Sequence, residues 1–271
     1  MGTSSDSPEV NALRAAFAAS AEITSGRMEG TIEVSGLDPS QGLTEMAIPF
    51  GGAFDNASGD SSFYMDMSGV AAAGGEEIPP ELAELFGEME VRQIGDTSFV
   101  KFGFFNMFLG AETSWIAMPA DESDPTGGFS MTSPGNPSEI LGSFEEAGAE
   151  VEVIGTEVVN GVNATHYRAV FDMETLIAEA TPEERAELEA QGPLPVDVMP
   201  MDVWISDDGL VIRFVMEIDG DSVEADPGES FGHMLMRYDM FDLNSNIVIE
   251  PPPPEEVTHI DDLEMDFGFD V

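Results

Sequence analysis

A chain of 271 residues, 42% of them hydrophobic, makes one large domain or two small ones with a sizeable core, which excludes wholesale disorder. Charge is the outlier: 8 Lys+Arg against 54 Asp+Glu leave −46, with Lys101 the single lysine. Such a surface repels phosphate backbones, which excludes nucleic acid as a partner, and it repels anionic lipid head groups, so membrane attachment requires an apolar or covalent anchor.

In chain order, Pro8 to about Ile23 reads as a helix capped by Asp6 or Ser7, with Leu13, Ala16, Phe17 and Ala21 spaced by three or four. Thr31–Val34 alternates as a strand. Met46–Phe54 and Ser62–Met67 are two more, joined by the turn residues of Asp55-Asn56-Ala57-Ser58-Gly59-Asp60. Pro79-Pro80-Glu81 opens a short helix carrying Leu82, Leu85 and Phe86. Met89–Ile94, the Gly95-Asp96 turn and Thr97–Phe102 form a hairpin, and Trp115–Met118 is the next strand. Asn136-Pro137-Ser138-Glu139 starts a helix with Ile140, Leu141 and Phe144 as its apolar stripe.

Val151–Val159, the Asn160-Gly161 turn and Ala164–Asp172 make the clearest hairpin in the chain. Thr181-Pro182-Glu183-Glu184 is a capping box whose helix ends near Gln191-Gly192. Pro195–Ile205 and Leu210–Ile218 form a further hairpin across Asp207-Asp208-Gly209. Met234–Phe241 and Ile247–Glu250 close the folded region, and Pro251–Pro254 stop it. About ten strands joined mostly by hairpins predict an α+β fold, in which a curled antiparallel sheet, a half-barrel, carries helices on its concave side. The expected organisation is a flexible linker over 1–7, one domain over 8–257 and an acidic tail over 258–271.

Motifs for catalysis are weak. Gly228-Glu229-Ser230-Phe231-Gly232 matches a G-x-S-x-G pattern and His259 lies downstream. That chemistry needs the serine on a tight turn between an apolar strand and a helix, whereas Ala225-Asp226-Pro227 precedes it and strand-like Met234-Leu235-Met236 follows. His166, His233 and His259 lack metal-ligand spacing, and no calcium loop or phosphate-binding glycine motif is present. Pairs such as Glu145-Glu146 and Glu183-Glu184 read as solvated acidic surface. With no cysteine, disulfides, thiolate nucleophiles and cysteine-bearing zinc sites are excluded. No catalytic residue, no metal and no cofactor is assigned.

The apolar inventory says more. Eighteen Phe and seventeen Met accompany three Tyr and two Trp. Phe99, Phe102, Phe104, Phe105 and Phe108 fall within ten residues, with Met107 among them, and after Phe102 the run stops alternating. Three readings stand: a local cluster beneath a helix, the wall or mouth of an apolar cavity, or a loop that dips into a bilayer. Methionine favours a cavity, because its flexible thioether adapts to variable ligands. At the N-terminus, the small polar stretch Gly2-Thr3-Ser4-Ser5-Asp6-Ser7 has the character of residues that follow the lipid-bearing cysteine of a mature bacterial lipoprotein, with Met1 standing where that cysteine would be.

An ordered series of strand-turn segments resembles the LppX/LprG-type family of actinobacterial envelope lipoproteins, whose fold is LolA/LolB-like. The segments are Gly95-Asp96-Thr97-Ser98-Phe99-Val100-Lys101, Trp115-Ile116, Val153-Ile154-Gly155-Thr156-Glu157-Val158-Val159-Asn160-Gly161-Val162 and Thr165-His166-Tyr167. They continue through Pro195-Val196-Asp197-Val198, Val203-Trp204-Ile205-Ser206-Asp207-Asp208-Gly209-Leu210, Met236-Arg237-Tyr238 and Ile249-Glu250-Pro251-Pro252, within a span from about Leu13 to Val257. The resemblance implies a curved antiparallel sheet wrapped over helices around an apolar cavity for acylated lipids, and a lipid anchor on the outer side of the plasma membrane. It transfers no catalytic residue. The extreme acidity, the Phe/Met cluster at 99–108 and the C-terminal extension depart from it.

The reading that follows is a non-enzymatic extracytoplasmic lipoprotein, membrane-anchored or secreted, that binds or carries a lipid or lipidated glycoconjugate. Residues expected to line the cavity, from their apolar pattern, are Phe17, Ile32, Met65, Phe99, Phe102, Phe104, Ile116, Phe144, Trp204 and Phe214. A second reading is a structural or signalling envelope lipoprotein that binds a protein partner through its acidic surface; a third is a hydrolase using Ser230.

Overall fold

A computed structural model describes residues 7–36, 45–69, 87–120, 150–172, 198–220 and 232–263. The helices expected at 79–86, 136–144 and 181–191 lie outside the described residues. The described residues form twelve strands: β1 (Ser25–Ser35), β2 (Glu45–Asp55), β3 (Asp60–Asp66), β4 (Glu88–Ile94), β5 (Thr97–Lys101), β6 (Trp115–Pro119), β7 (Glu150–Val159), β8 (Val162–Asp172), β9 (Val198–Ser206), β10 (Val211–Asp219), β11 (His233–Phe241) and β12 (Val257–His259). Helix α1 covers Pro8–Ala21 and α2 covers Gly103–Phe108.

The described residues divide into two compact units. The first holds α1, β1 from Met28, and β7–β11; the second holds β2 from Ile48, β3–β6, α2 and β12.

In the first unit the strand order is β1-β11-β10-β9-β8-β7, and the pairs β7–β8, β8–β9, β9–β10 and β10–β11 are antiparallel. The turn between β7 and β8 has Asn160 and Gly161 at φ 49° and 84°, which a two-residue hairpin of this twist requires. Helix α1 starts where expected: Ser7 Oγ accepts the Val10 N–H at 3.1 Å, and Pro8 occupies the first turn, where a missing N–H costs nothing. Its buried stripe is Leu13, Ala16, Phe17 and Ser20. Ser20 also fixes the helix to the sheet, its Oγ accepting the Val211 N–H at 3.0 Å. Gly36, at φ 69°, passes against Gly232, and no larger residue fits there because a Cβ would collide with the Gly232 backbone.

In the second unit the order is β12-β6-β5-β4-β3-β2. Consecutive hairpins give antiparallel pairs from β2 to β6, while β12 joins β6 in parallel. Two local expectations change here. No strand forms at Ile247–Glu250; the strand past the prolines is β12, which begins inside the domain expected over 8–257 and runs into the segment expected as an acidic tail. The prolines at 251–254 have no N–H to donate, so no strand forms through them, and pairing starts at Val257 once ordinary residues return. Ile260 and Leu263 then pack on the cluster Val91, Val100, Ile116 and Met118.

The second change is α2, which sequence periodicity did not predict. It is held by Asn106, whose N–H donates to the Phe102 carbonyl and whose buried Nδ2 donates to the Thr113 and Ser114 carbonyls at 2.9 and 2.7 Å.

Candidate functional site

Successive residues of a strand point to opposite faces, and directly paired residues share a face, so the register sorts side chains without further assumption. In the first unit one face is built of apolar rows that cross the strands. One row runs Val151–Ala169–Met201–Met216–Met236 across β7, β8, β9, β10 and β11. The next runs Val153–Tyr167–Val203–Phe214–Tyr238, and Ile218–Met234 begins another. The centre of this face is buried at Ala169, Met201, Val203 and Phe214, whereas Met216, Ile218, Met234 and Met236 are half-buried.

Helix α1 packs against β7 and β10. Its buried Leu13 and Phe17 belong with the apolar rows, because the opposite face exposes Glu152, Arg168 and Glu217. Phe214 and Tyr238 stack at 5.2 Å between centroids. Burial pushes the Tyr238 phenol up to about 12, so this face carries a neutral hydroxyl at ordinary pH.

The opposite face of the same strands is a charged ladder. The row Gly155–His166–Trp204–Arg213–Asp239 places an imidazole, an indole, a guanidinium and a carboxylate side by side. His166 stacks on Trp204 at 4.1 Å and 11°, and Arg213 lies 5.6 Å from the indole centroid on a further strand. Trp204 Nε1 donates to the Glu157 carboxylate. Arg213 grips Asp239 through two contacts of 2.5 and 2.7 Å, and Asn160 of the β7–β8 turn reaches the same carboxylate at 3.1 Å.

Burial by itself would raise the Asp239 pKa, but hydrogen bonds from Arg213, Arg237 and Asn160 hold it below the usual carboxylate value. The neighbouring row sets Arg168 on Asp202 at 3.0 and 2.9 Å, with His166 Nε2 2.6 Å from the same carboxylate. The Arg168 guanidinium is raised accordingly, first by that hydrogen bond and then by the charge of Asp202.

The second unit has the same two-faced construction. Its apolar rows are Phe50–Met65–Met89 and Gly52–Phe63–Val91–Val100–Ile116. Its polar face carries Glu90 and Lys101 in one row and Arg92 in another. Arg92 and Lys101 lie 4.8 and 5.9 Å from the buried Trp115 ring. Each of the two tryptophans is therefore covered by scarce cations on the polar side of its strands.

The residues proposed to line a cavity fall into distinct places. Phe17 and Phe214 both belong to the apolar side of the first unit, and Met65 and Ile116 to the apolar face of the second. Ile32, half-buried on β1, points the same way as the buried Met28, four residues earlier. Phe102 is half-buried between β5 and α2. Phe99 and Trp204 lie on the polar faces: Phe99 is in register with Arg92, and Trp204 with His166 and Arg213.

The side chain of Phe104 and all of Phe144 lie outside what is described. Ser230 also lies outside the described residues, and His259 pairs with Ala117 on β12. Residue-by-residue selection missed the methionine row of Met201, Met216 and Met236. Its signal was only partly present as alternation: Asp202 separates Met201 from Val203, but Val203-Trp204-Ile205 is apolar throughout.

Chemically, the apolar face offers thioethers, aromatic rings and aliphatic groups. Among the described residues no group of three or more His, Asp or Glu could hold a metal ion, and no helix is long and apolar enough to cross a membrane.

No protein-family model matches the sequence, and no curated protein matches it. Among solved structures the chain is similar to the Mycobacterium tuberculosis lipoprotein LppX, at 15% identity over 89% of this chain and 97% of that one, with a TM-score of 0.43. It is similar to LprF from Mycobacterium bovis at 12% identity, covering 89% and 95%, with a TM-score of 0.45. A putative outer membrane lipoprotein-sorting protein domain from Vibrio parahaemolyticus is matched at 6% identity over 88% and 92%, with a TM-score of 0.26.

Proposed function

We propose that this chain is a non-enzymatic binding protein of the cell envelope that holds an acylated amphiphile against the apolar face of β7–β11. The observation that carries this reading is the row Met201–Met216–Met236, flanked by Phe214 and Tyr238, with Met216 and Met236 only half-buried. Three adjacent thioethers present an apolar surface that re-packs around chains of different length, a property rigid β-branched residues lack. Stripping an acyl chain of water is worth about 0.8 kcal/mol per methylene, so two chains of about sixteen carbons release roughly 20–25 kcal/mol gross. A donor membrane solvates them equally well, so uptake from a bilayer requires a site of comparable apolarity and no strong polar clamp.

The envelope location, the extracytoplasmic side and a lipid anchor are supported by the ordered strand-turn segments quoted above. The anchor would supply the covalent membrane attachment that a charge of −46 makes necessary.

The test is mass spectrometry of organic extracts from protein purified out of its native host. A lipid in stoichiometric amount, lost in Met216→Asp and retained in Val215→Thr on the opposite face, is the expected result. Equal loading of both variants, or an empty extract from folded wild-type protein, overturns the proposal.

A further inference from the structure

A strand at the edge of a sheet presents backbone N–H and C=O groups to any chain that can lie beside it. Strand β7 is such an edge: it ends the strand order of its unit, and β8 is its only strand partner among the described residues. Four of the eight exposed large hydrophobics among the described residues belong to this hairpin: Val153, Ile154, Val158 and Val162. Val153 is 49% exposed although it begins a row whose inner members Val203 and Phe214 are buried. At β7 the apolar face is therefore covered at Val151 but open to solvent from Val153, where an ordinary sheet edge is polar.

The polar face points to what completes it. Across the strands, one row reads Glu152–Arg168–Asp202, so the charges alternate from strand to strand. Glu152 is its exposed outer end, and a positive group is the member that continues the alternation. Glu150 also stands exposed on this strand. A second copy of β7 would set these carboxylates against their own kind, which argues against self-pairing. The register shift between Val153 and Gly155 interrupts the regular edge and confines pairing to the residues up to Ile154.

We propose that the outer edge of β7, over residues 150–154, accepts one strand from an extended basic segment of another protein. Its apolar side chains would extend the rows that begin at Val151 and Val153, and its basic ones would meet Glu150 and Glu152. Main-chain pairing would supply affinity, and the alternation of apolar and basic residues would supply selectivity. The proposal is independent of lipid binding, which uses the interior of the same face.

The experiment titrates the whole chain with a labelled ten-residue peptide alternating valine and lysine, in 150 mM salt, and follows amide hydrogen exchange along β7. The expected result is saturable binding that slows exchange over 150–154 at least tenfold. Affinity should fall at least tenfold when the peptide is N-methylated at every second residue or carries glutamate in place of lysine. Glu152→Lys should weaken binding at least tenfold, whereas Glu33→Lys, an equal charge change at an exposed position of β1, should not. Equal loss in the two variants, full binding of the N-methylated peptide or unchanged exchange in β7 of the wild-type chain each overturn it. The exchange measurement needs no variant, so a misfolded mutant does not blunt the test.

Discussion

Replacing Arg213 with Met removes the charge and keeps much of the side-chain bulk between Trp204 and Asp239. In the wild type, Nε and Nη2 contact Oδ1 and Oδ2 of Asp239 at 2.5 and 2.7 Å, and the two side chains are only 13% and 16% exposed. At an effective dielectric of about 20, unit charges about 4 Å apart attract by roughly 4 kcal/mol, part of which offsets desolvation. The variant leaves Asp239 with Asn160 at 3.1 Å and Arg237 at 3.4 Å. It also loses a cation over the indole, worth about 0.5–2 kcal/mol. The expected destabilisation at pH 7 is about 2–3 kcal/mol, less than for a fully orphaned buried charge because Asn160 and Arg237 still hold the carboxylate.

The double variant Arg213→Met, Asp239→Asn should recover about 1 kcal/mol of this, because it no longer buries a carboxylate that has lost its closest cation. Urea unfolding across the four proteins of the cycle measures the coupling. The pH dependence sharpens it. Asp239 is depressed in the folded state, so its pairing stabilises above the unfolded carboxylate value of about 4 and is lost as pH falls through the lower folded value. The gap between wild type and Arg213→Met should therefore shrink on acidification, while the titration of all other carboxylates cancels between them. A destabilisation under about 1 kcal/mol, with no coupling and no change on acidification, would refute the argument that this pair is a buried structural contact.

Gly52→Ala should destabilise by about 2–3 kcal/mol in a urea melt, since the new Cβ falls inside contact with the Ser62 carbonyl oxygen and 3.3 Å from Phe63 Cα, and disturbs the Phe50–Phe63 stack. Alkaline titration should destabilise the chain between pH 10 and 12: Tyr238 ionises near 10 when unfolded but near 12 when buried, so folding loses about 1.4 kcal/mol per pH unit across that window. Tyr238→Phe should abolish that component of the alkaline transition as followed by tyrosine absorbance. Raising salt from 0.1 to 1 M should raise the urea midpoint, because the Debye length falls from about 10 to about 3 Å and screens the self-repulsion of a −46 chain. A midpoint independent of salt would mean that this repulsion is already relieved in the fold.

The sequence by itself determined the hairpins, the first helix and the chemistry excluded by composition. Turn residues such as Asn160-Gly161 and Gly95, and the Ser7-Pro8 start of α1, act within a few residues, so their signals are complete in the local chain. It also pointed to an apolar face, since parts of β9 and β10 alternate, as in Met201-Asp202-Val203 and Met216-Glu217-Ile218. What it left open was which strands lie side by side. That Met201, Met216 and Met236 form one row is a matter of register between three strands, and no single segment contains it.

The same holds for the two tryptophans. Trp204 looks like a core residue in any window, yet tertiary pairing puts His166, Arg213 and Glu157 around it on the polar face. The parallel docking of β12 and the packing of Ile260 and Leu263 likewise depend on an open strand edge at β6 and on the cluster around Ile116. Local propensity sets what each segment becomes; hydrogen-bond register and burial, which act between segments distant in the chain, set what each side chain meets.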